Sequence, residues 1–253
     1  MKWLLRFVLF GLVGFCCRAD ESPSSADLKL RVVNIEQGTR KIALNFIIFS
    51  EAHFGLRVID NAAEDNTARF SNLAEAMEAH ACVAGCNGGF FERRPFSPVG
   101  GMISAGVRVT AVDPKSWMKG LLVVRGGHPA LEFSETFRDA PDVTELLQSG
   151  TWLVRGGKSE TDSSRNQVAR RTFVCHDGKG VWAIGASGPC TLHDLATVLK
   201  HAEVATILDI QEALNFDGGP STGLWLKRTP DNFYLPEKWA VRNYIGVSQH
   251  SSP

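Results

Sequence analysis

The feature that most limits the fold of this chain is a succession of short, period-two apolar segments separated by glycine and polar turns. Leu28, Leu30 and Val32 alternate with Lys29 and Arg31. Ile42, Leu44 and Phe46 repeat the spacing, and Phe54, Leu56 and Val58 repeat it again. Side chains spaced by two line one face of a strand, so each segment predicts a strand with one buried face. Further strands are predicted at 107–112, 121–125, 151–155, 171–176 and 181–186, within 205–216, and at 243–247. Asp177-Gly178-Lys179-Gly180 supplies a hairpin turn between two of them. Helical spacing is confined to 72–81, with Ser71 as N-cap, and to 192–202, with Thr191 as N-cap. The 24 glycines among 253 residues favour tight turns over long helices. No internal repeat and no break in composition divides the chain after residue 27. The expected fold class is therefore α+β: a single domain with a twisted mixed, mostly antiparallel sheet system and a few helices packed on it.

Charge and hydropathy narrow the function. Lys plus Arg number 27, equal to Asp plus Glu, and 44% of residues are hydrophobic. That balance excludes a disordered chain, a polytopic membrane protein and a basic nucleic-acid binder. Residues 1–19 are expected to be a signal peptide: Lys2 and Arg6 precede an apolar run from Phe7 to Cys17, and Cys17-Arg18-Ala19 places small residues at −3 and −1. Eleven residues rise only about 16 Å as a helix, too short for a bilayer core of about 30 Å. A lipid-modified Cys16 or Cys17 fits less well, because bulky Phe15 precedes the first and Cys16 the second. The expected product is exported, periplasmic or secreted, with no stable membrane insertion after cleavage, a polar disordered leader over 20–27 and a domain over 28–250.

Cys82, Cys86, Cys175 and Cys190 remain after that cleavage. Four cysteines in an oxidising compartment predict disulfides, with three connectivities open. A Cys82–Cys86 bridge is awkward in an extended segment, where the Cα atoms stand about 13 Å apart against about 6 Å in a bridge. No CxxC spacing supports a zinc site.

Three stretches couple buried-strand character to polar residues at a glycine turn. Asn87-Gly88-Gly89-Phe90-Phe91 ends a strand in a pair of glycines, which lets backbone N–H groups approach a ligand; taken alone it also reads as a β-bulge. In 215–222, Asn215 and Asp217 share one strand face, Gly218 and Gly219 clear space, and Ser221 adds a hydroxyl; alone, Asp217 also reads as a turn cap. Arg170 and Arg171 enter an apolar strand, where only one can face inward; alone, both also read as solvated edge residues.

Taken in order, Asn87 to Phe91, Pro98-Val99-Gly100 with Gly106, Arg171-Thr172, Ala213 to Gly219 with Ser221, and Asn243 resemble the phosphodiester glycosidase family over about residues 30–248. Pro220 stands where the family usually has a third glycine, and Val174-Cys175 where it has a glycine shortly after its Arg-Thr. The resemblance implies hydrolysis of a sugar joined through its anomeric carbon to a phosphate diester. On that reading Arg171 holds the phosphate with the N–H groups of Gly88 and Gly89. Asp217 sits near the anomeric carbon or orients water, with Glu92 as the second carboxylate. Asn87, Asn243 and Ser221 bind sugar hydroxyls, Phe90 stacks on the ring, and Asn215, Gly218 and Gly219 complete the cleft. Glu212 alternates to the opposite face, and His176 and His193 read as surface or supporting residues. The expected partner is a glycan or sugar-phosphate, with no nucleic acid, no metal and no cofactor. Two alternatives are a non-catalytic envelope glycan-binding protein using the same cleft, and a metal-dependent hydrolase with Asp217, Asp209 and His193 as ligands.

Overall fold

The computed structural model of the chain describes residues 28–160 and 167–250. The expected signal peptide and leader lie outside the described residues. Three sheets and a two-stranded ribbon make up the fold. The first sheet has the order Lys29–Gln37, Arg40–Ser50, Val181–Cys190, Ala169–His176, Glu212–Asn215, Trp152–Arg155, Lys158–Ser159. The second runs His128–Phe133, Gly120–Arg125, Val143–Ser149, Met102–Ser104, Val107–Thr110. The third runs Phe233–Leu235, Leu224–Leu226, Ala84–Asn87, Asn243–Gln249, Phe54–Asp60. Phe91–Glu92 pairs with Ser97–Pro98 in the ribbon.

Every ladder among the described residues is antiparallel, so the expected mixed pairing is corrected. The fold is predominantly β with a few short helices. The helix Leu73–Ala79 is capped by Asn72, one residue later than expected, because the Asn72 side chain accepts from Glu75 N–H. It buries Leu73, Ala76 and Met77 on the third sheet, where a Cβ at Gly85 would collide with the Met77 sulfur. Thr191 caps Leu192–Val198 in a reciprocal capping box with Asp194, as its position promised. The expected single helix then breaks, and His201 caps a second short helix, Ala202–Ala205. Their apolar residues join Leu44, Phe46, Phe173 and Ala213 of the first sheet in one hydrophobic cluster. The main core lies where the sheets face one another and takes Phe49 and Leu214 from the first, Leu122 and Leu147 from the second, and Cys86 and Ile245 from the third.

The expected disulfides are absent: Cys82, Cys86, Cys175 and Cys190 are all free and buried. Register explains the second pair. Cys175 lies opposite Ala183, while Cys190 lies opposite Ala169 at the other end of the same hairpin. Those positions are about 20 Å apart along a strand. Cys86 belongs to the main core, whereas Cys82 packs under the helix Leu73–Ala79 in a separate cluster. Burial pushes the Cys82 thiol up to about 11 and raises the other three as well, so all four act as small apolar side chains.

Candidate active site

The site forms where the first and third sheets end against each other. The strand Ala84–Asn87 runs into the glycine pair, and the strand Glu212–Asn215 runs into Asp217. The two ends are joined by the Asp217 N–H donating to Gly88 O at 3.0 Å. Residues more than a hundred positions apart therefore meet.

Asn87 is the keystone of this junction and is 1% exposed. Its Nδ2 donates to Asp217 O at 2.8 Å, and its Oδ1 accepts from Thr172 Oγ1 at 2.6 Å and from Gly223 N at 3.1 Å. One side chain thus ties together the strand carrying Arg171, the Asp217 turn and the return strand Leu224–Leu226. Asn243 performs the matching task from the neighbouring strand. Its backbone oxygen accepts from Gly88 N at 3.0 Å and its Oδ1 from Gly89 N at 2.7 Å. The two N–H groups expected to cradle a phosphate are therefore engaged by Asn243, and the amides of Asn87 and Asn243 face protein rather than open space. Glycine is required here by proximity: a Cβ at Gly88 would lie 2.1 Å from Asn243 Oδ1. Asn243 Nδ2, Asn215 Oδ1 and Thr222 Oγ1 are buried around the junction without a hydrogen bond to described residues.

Asp217 is partly buried. Its Oδ1 accepts from Gly218 N at 2.8 Å, and the Ser221 hydroxyl also bonds its carboxyl. Burial raises its pKa above the ordinary carboxylate value, while the Ser221 and Gly218 hydrogen bonds and the charge of Arg171 pull the other way. Gly219, at φ +59°, starts the 3-10 turn Gly219–Ser221 that brings Ser221 back to Asp217. Gly218 clears a second approach, since a Cβ there would meet Arg170 O at 2.7 Å.

Arg171 is the inward member of its pair and is 9% exposed. Its Nε donates to Cys190 O at 3.3 Å and one Nη donates to Gln167 O, which fixes the fork beside Asp217. Burial lowers its pKa, opposed by the nearby Cys190 and Asp217. Arg170 points elsewhere and binds the backbone oxygens of Thr222 and Pro236.

The structure thus brings together Asn87, Gly88, Gly89, Arg171, Asp217, Gly218, Gly219, Ser221 and Asn243. Asn215 stands one step behind them: its Nδ2 donates to Gly150 O at 3.0 Å. Phe90 lies at the rim, its ring 5.1 Å from Trp117 in an edge-to-face pair. Glu92 does not join the cluster. It is exposed on the ribbon opposite Ser97, because the chain turns outward after Phe91. The metal alternative fails on position: among the described residues no three His, Cys, Asp or Glu gather to hold an ion. Asp209 is exposed and pairs with Lys200, away from Asp217. Thr172 was given no role by sequence reasoning. A hydroxyl inside the run Arg171-Thr172-Phe173-Val174 was the available signal, since a buried strand rarely spends a position on an unpaired polar group.

No helix among the described residues is long and apolar enough to cross a membrane. The sequence profile of the phosphodiester glycosidase family matches residues 80–248. No curated protein matches the chain. Among solved structures, the fold is similar to the zebrafish N-acetylglucosamine-1-phosphodiester alpha-N-acetylglucosaminidase catalytic domain auto-inhibited by its pro-peptide, at 17% identity over 88% of this chain and 83% of that one, with a TM-score of 0.66. It is also similar to a hypothetical protein from Synechocystis at 14% identity, covering 88% of this chain and 62% of that one, with a TM-score of 0.61. A third likeness is to a protein of Burkholderia pseudomallei described as exported, at 10% identity over 82% and 74% of the two chains, with a TM-score of 0.53. These identities speak for the fold, whereas the profile covers the Asn87, Arg171, Asp217 and Asn243 segments together, and on that match the chain belongs to the phosphodiester glycosidase family.

Proposed function

We propose that the chain is an exported hydrolase that cleaves a sugar-1-phosphodiester on an envelope or extracellular glycan. The observation that carries this reading is the convergence of a carboxyl with a raised pKa, Asp217, and a buried guanidinium, Arg171, at one junction of a phosphodiester glycosidase fold. A phosphate departs readily, so the demand on the protein is to hold the phosphate and to support positive charge developing at the anomeric carbon. Arg171 offers a planar fork of donors to the phosphate oxygens. Asp217 sits where a carboxyl can transfer a proton or orient water, and Ser221 and Gly218 fix its rotamer. Asn87, Gly88, Gly89 and Asn243 build the wall that holds Asp217. Phe90, at the rim beside Trp117, is left to meet the sugar. Export rests on the signal-peptide pattern of 1–19, with the domain over 28–250 as the working unit, and the Burkholderia protein of similar fold is itself described as exported.

The test is release of free sugar from the methyl phosphodiester of N-acetylglucosamine 1-phosphate, the linkage named for the zebrafish neighbour. Asp217→Asn is expected to lower turnover at least ~100-fold, the range for general acid–base groups, with an unchanged circular dichroism spectrum. Wild-type turnover in that variant removes Asp217 from the chemistry. Retention of the diester on the wild-type protein without release of sugar replaces the hydrolase with a glycan-binding protein.

A further inference from the structure

A cavity of about 450 Å³ opens along the segments that flank the junction in sequence, lined by Asn66, Thr67, Phe91, the exposed Arg93 and Arg94, Phe96 and Trp239, among others. Both of its walls continue segments that build the active site. Phe91 follows Gly89 by two residues, and Trp239 precedes Asn243 by four. Its chemistry is lopsided. Arg93 and Arg94 line it, no carboxylate does, and among the described residues neither arginine forms an ion pair. The Arg93 guanidinium is held over the Trp239 ring at 4.4 Å from its centroid, which fixes the direction of its donors. Phe91 and Phe96 pack edge to face at 5.7 Å and give the cavity an apolar side. Phe96 holds φ +61°, a conformation that a bulky side chain adopts only when its surroundings impose it, and here Arg242 Nε grips its carbonyl at 2.9 Å.

Aromatic walls and two guanidinium groups without an ion pair among the described residues suit a carbohydrate ring that carries an oxyanion. We propose that this cavity is an accessory subsite for a negatively charged sugar unit of the glycan, distinct from the sugar at the scissile bond. The protein would then act on an acidic polysaccharide or oligosaccharide. The placement of the cavity within the reaction rests on the hydrolase reading; the binding itself does not.

Calorimetric titration of the chain beginning at Asp20 with methyl glucuronide, glucose 6-phosphate, methyl glucoside and acetate tests the subsite directly. The two anionic sugars are expected to bind and the other two probes are not. Arg93→Gln and Arg94→Gln are each expected to weaken anionic-sugar binding about tenfold, as for loss of a hydrogen bond to a charged group, and Trp239→Phe is expected to weaken it less while keeping the ring. A preference between the two anionic sugars identifies the oxyanion and supports the proposal. Equal binding of methyl glucoside, tight binding of acetate alone, or unchanged affinity in both arginine variants overturns it. Asp217→Asn separates the two readings: it is expected to bind the anionic sugars as wild type does. If that variant also retains full turnover while Arg93→Gln still loses binding, the catalytic assignment fails and the subsite stands.

Discussion

Replacing Gly88 with alanine probes the junction at its tightest point. The new Cβ would lie 2.1 Å from Asn243 Oδ1 and 3.0 Å from Leu147 Cδ2. Ordinary non-bonded contact needs about 3.5 Å, so Asn243 must retreat by more than about 1 Å. That movement opens the 2.7 Å hydrogen bond from Gly89 N to Asn243 Oδ1 in a region that water does not reach. An unpaired buried N–H costs about 1–3 kcal/mol and overpacking about as much again, giving an expected loss of about 2–6 kcal/mol. Urea unfolding of the chain beginning at Asp20 measures it. Gly188→Ala is the control, since the nearest atom to a Cβ there is Ala43 N at an ordinary 3.6 Å; its expected change is below about 1 kcal/mol. A Gly88→Ala protein within about 0.5 kcal/mol of wild type would refute the claim that Asn243 and the glycine pair are locked by contact.

Arg171→Lys exchanges a planar fork for a point charge, and KM for a sugar-1-phosphodiester is expected to rise about tenfold with a smaller change in kcat; steady-state kinetics check it, and an unchanged KM removes Arg171 from phosphate binding. Glu145 is 7% exposed, and burial pushes it up to about 7 despite hydrogen bonds from Ala105 and Val58 N–H. The folded chain therefore holds this proton more tightly than the unfolded chain, whose glutamate titrates near 4.5, and stability falls as pH rises between those values by about 3 kcal/mol. Glu145→Gln is expected to remove that fall, so the variant gains on wild type between pH 5 and pH 8 in urea unfolding; parallel pH profiles would sink the argument. Alkylation in denaturant without reductant is expected to label all four of Cys82, Cys86, Cys175 and Cys190 in the chain beginning at Asp20, and none quickly in the native state. Mass spectrometry reads the count, and two labels would mean a bridge.

Much of the fold was legible because period-two spacing survives wherever a strand has one buried face. The strands from Lys29 to Asp60 and the hairpin around Asp177 follow the spacing directly. Val143–Ser149 escaped because its pattern is broken by buried polar residues: Glu145 accepts backbone N–H groups from two other strands' neighbourhoods, and Gln148 spans Gly101, Asp113 and Met118. Leu224–Leu226 and Phe233–Leu235 are too short to show a period. The cysteines misled because compartment and count say nothing about register, and register alone sets Cys175 and Cys190 at opposite hairpin ends.

The convergence of Asn87, Arg171, Asp217 and Asn243 was legible in the sequence, whereas the outward turn that removes Glu92 and the bonding of each amide were not, for a physical reason. Two sheets that end against each other leave backbone groups unpaired at both ends, and inside a core each must find a partner. Asn87 and Asn243 supply those partners, with Thr172 locking Asn87 in place, and the glycines exist so that these bonds can close. In sequence, an amide that satisfies a strand end looks the same as one that binds a sugar. The hydrogen bonds make Asn87 and Asn243 builders of the junction, and the junction holds the Asp217 carboxyl, bonded by Ser221 and Gly218, near the Arg171 guanidinium. The motif is then a device for holding one carboxyl beside one guanidinium with little rotational freedom. By the same logic Asn87→Asp should damage the site more than its similar shape suggests. It would place a carboxylate against Asp217 O at 2.8 Å, where a donor is needed, and the expected outcome is loss of both stability and turnover. Wild-type turnover in that variant would mean that Asp217 is positioned by something other than this amide.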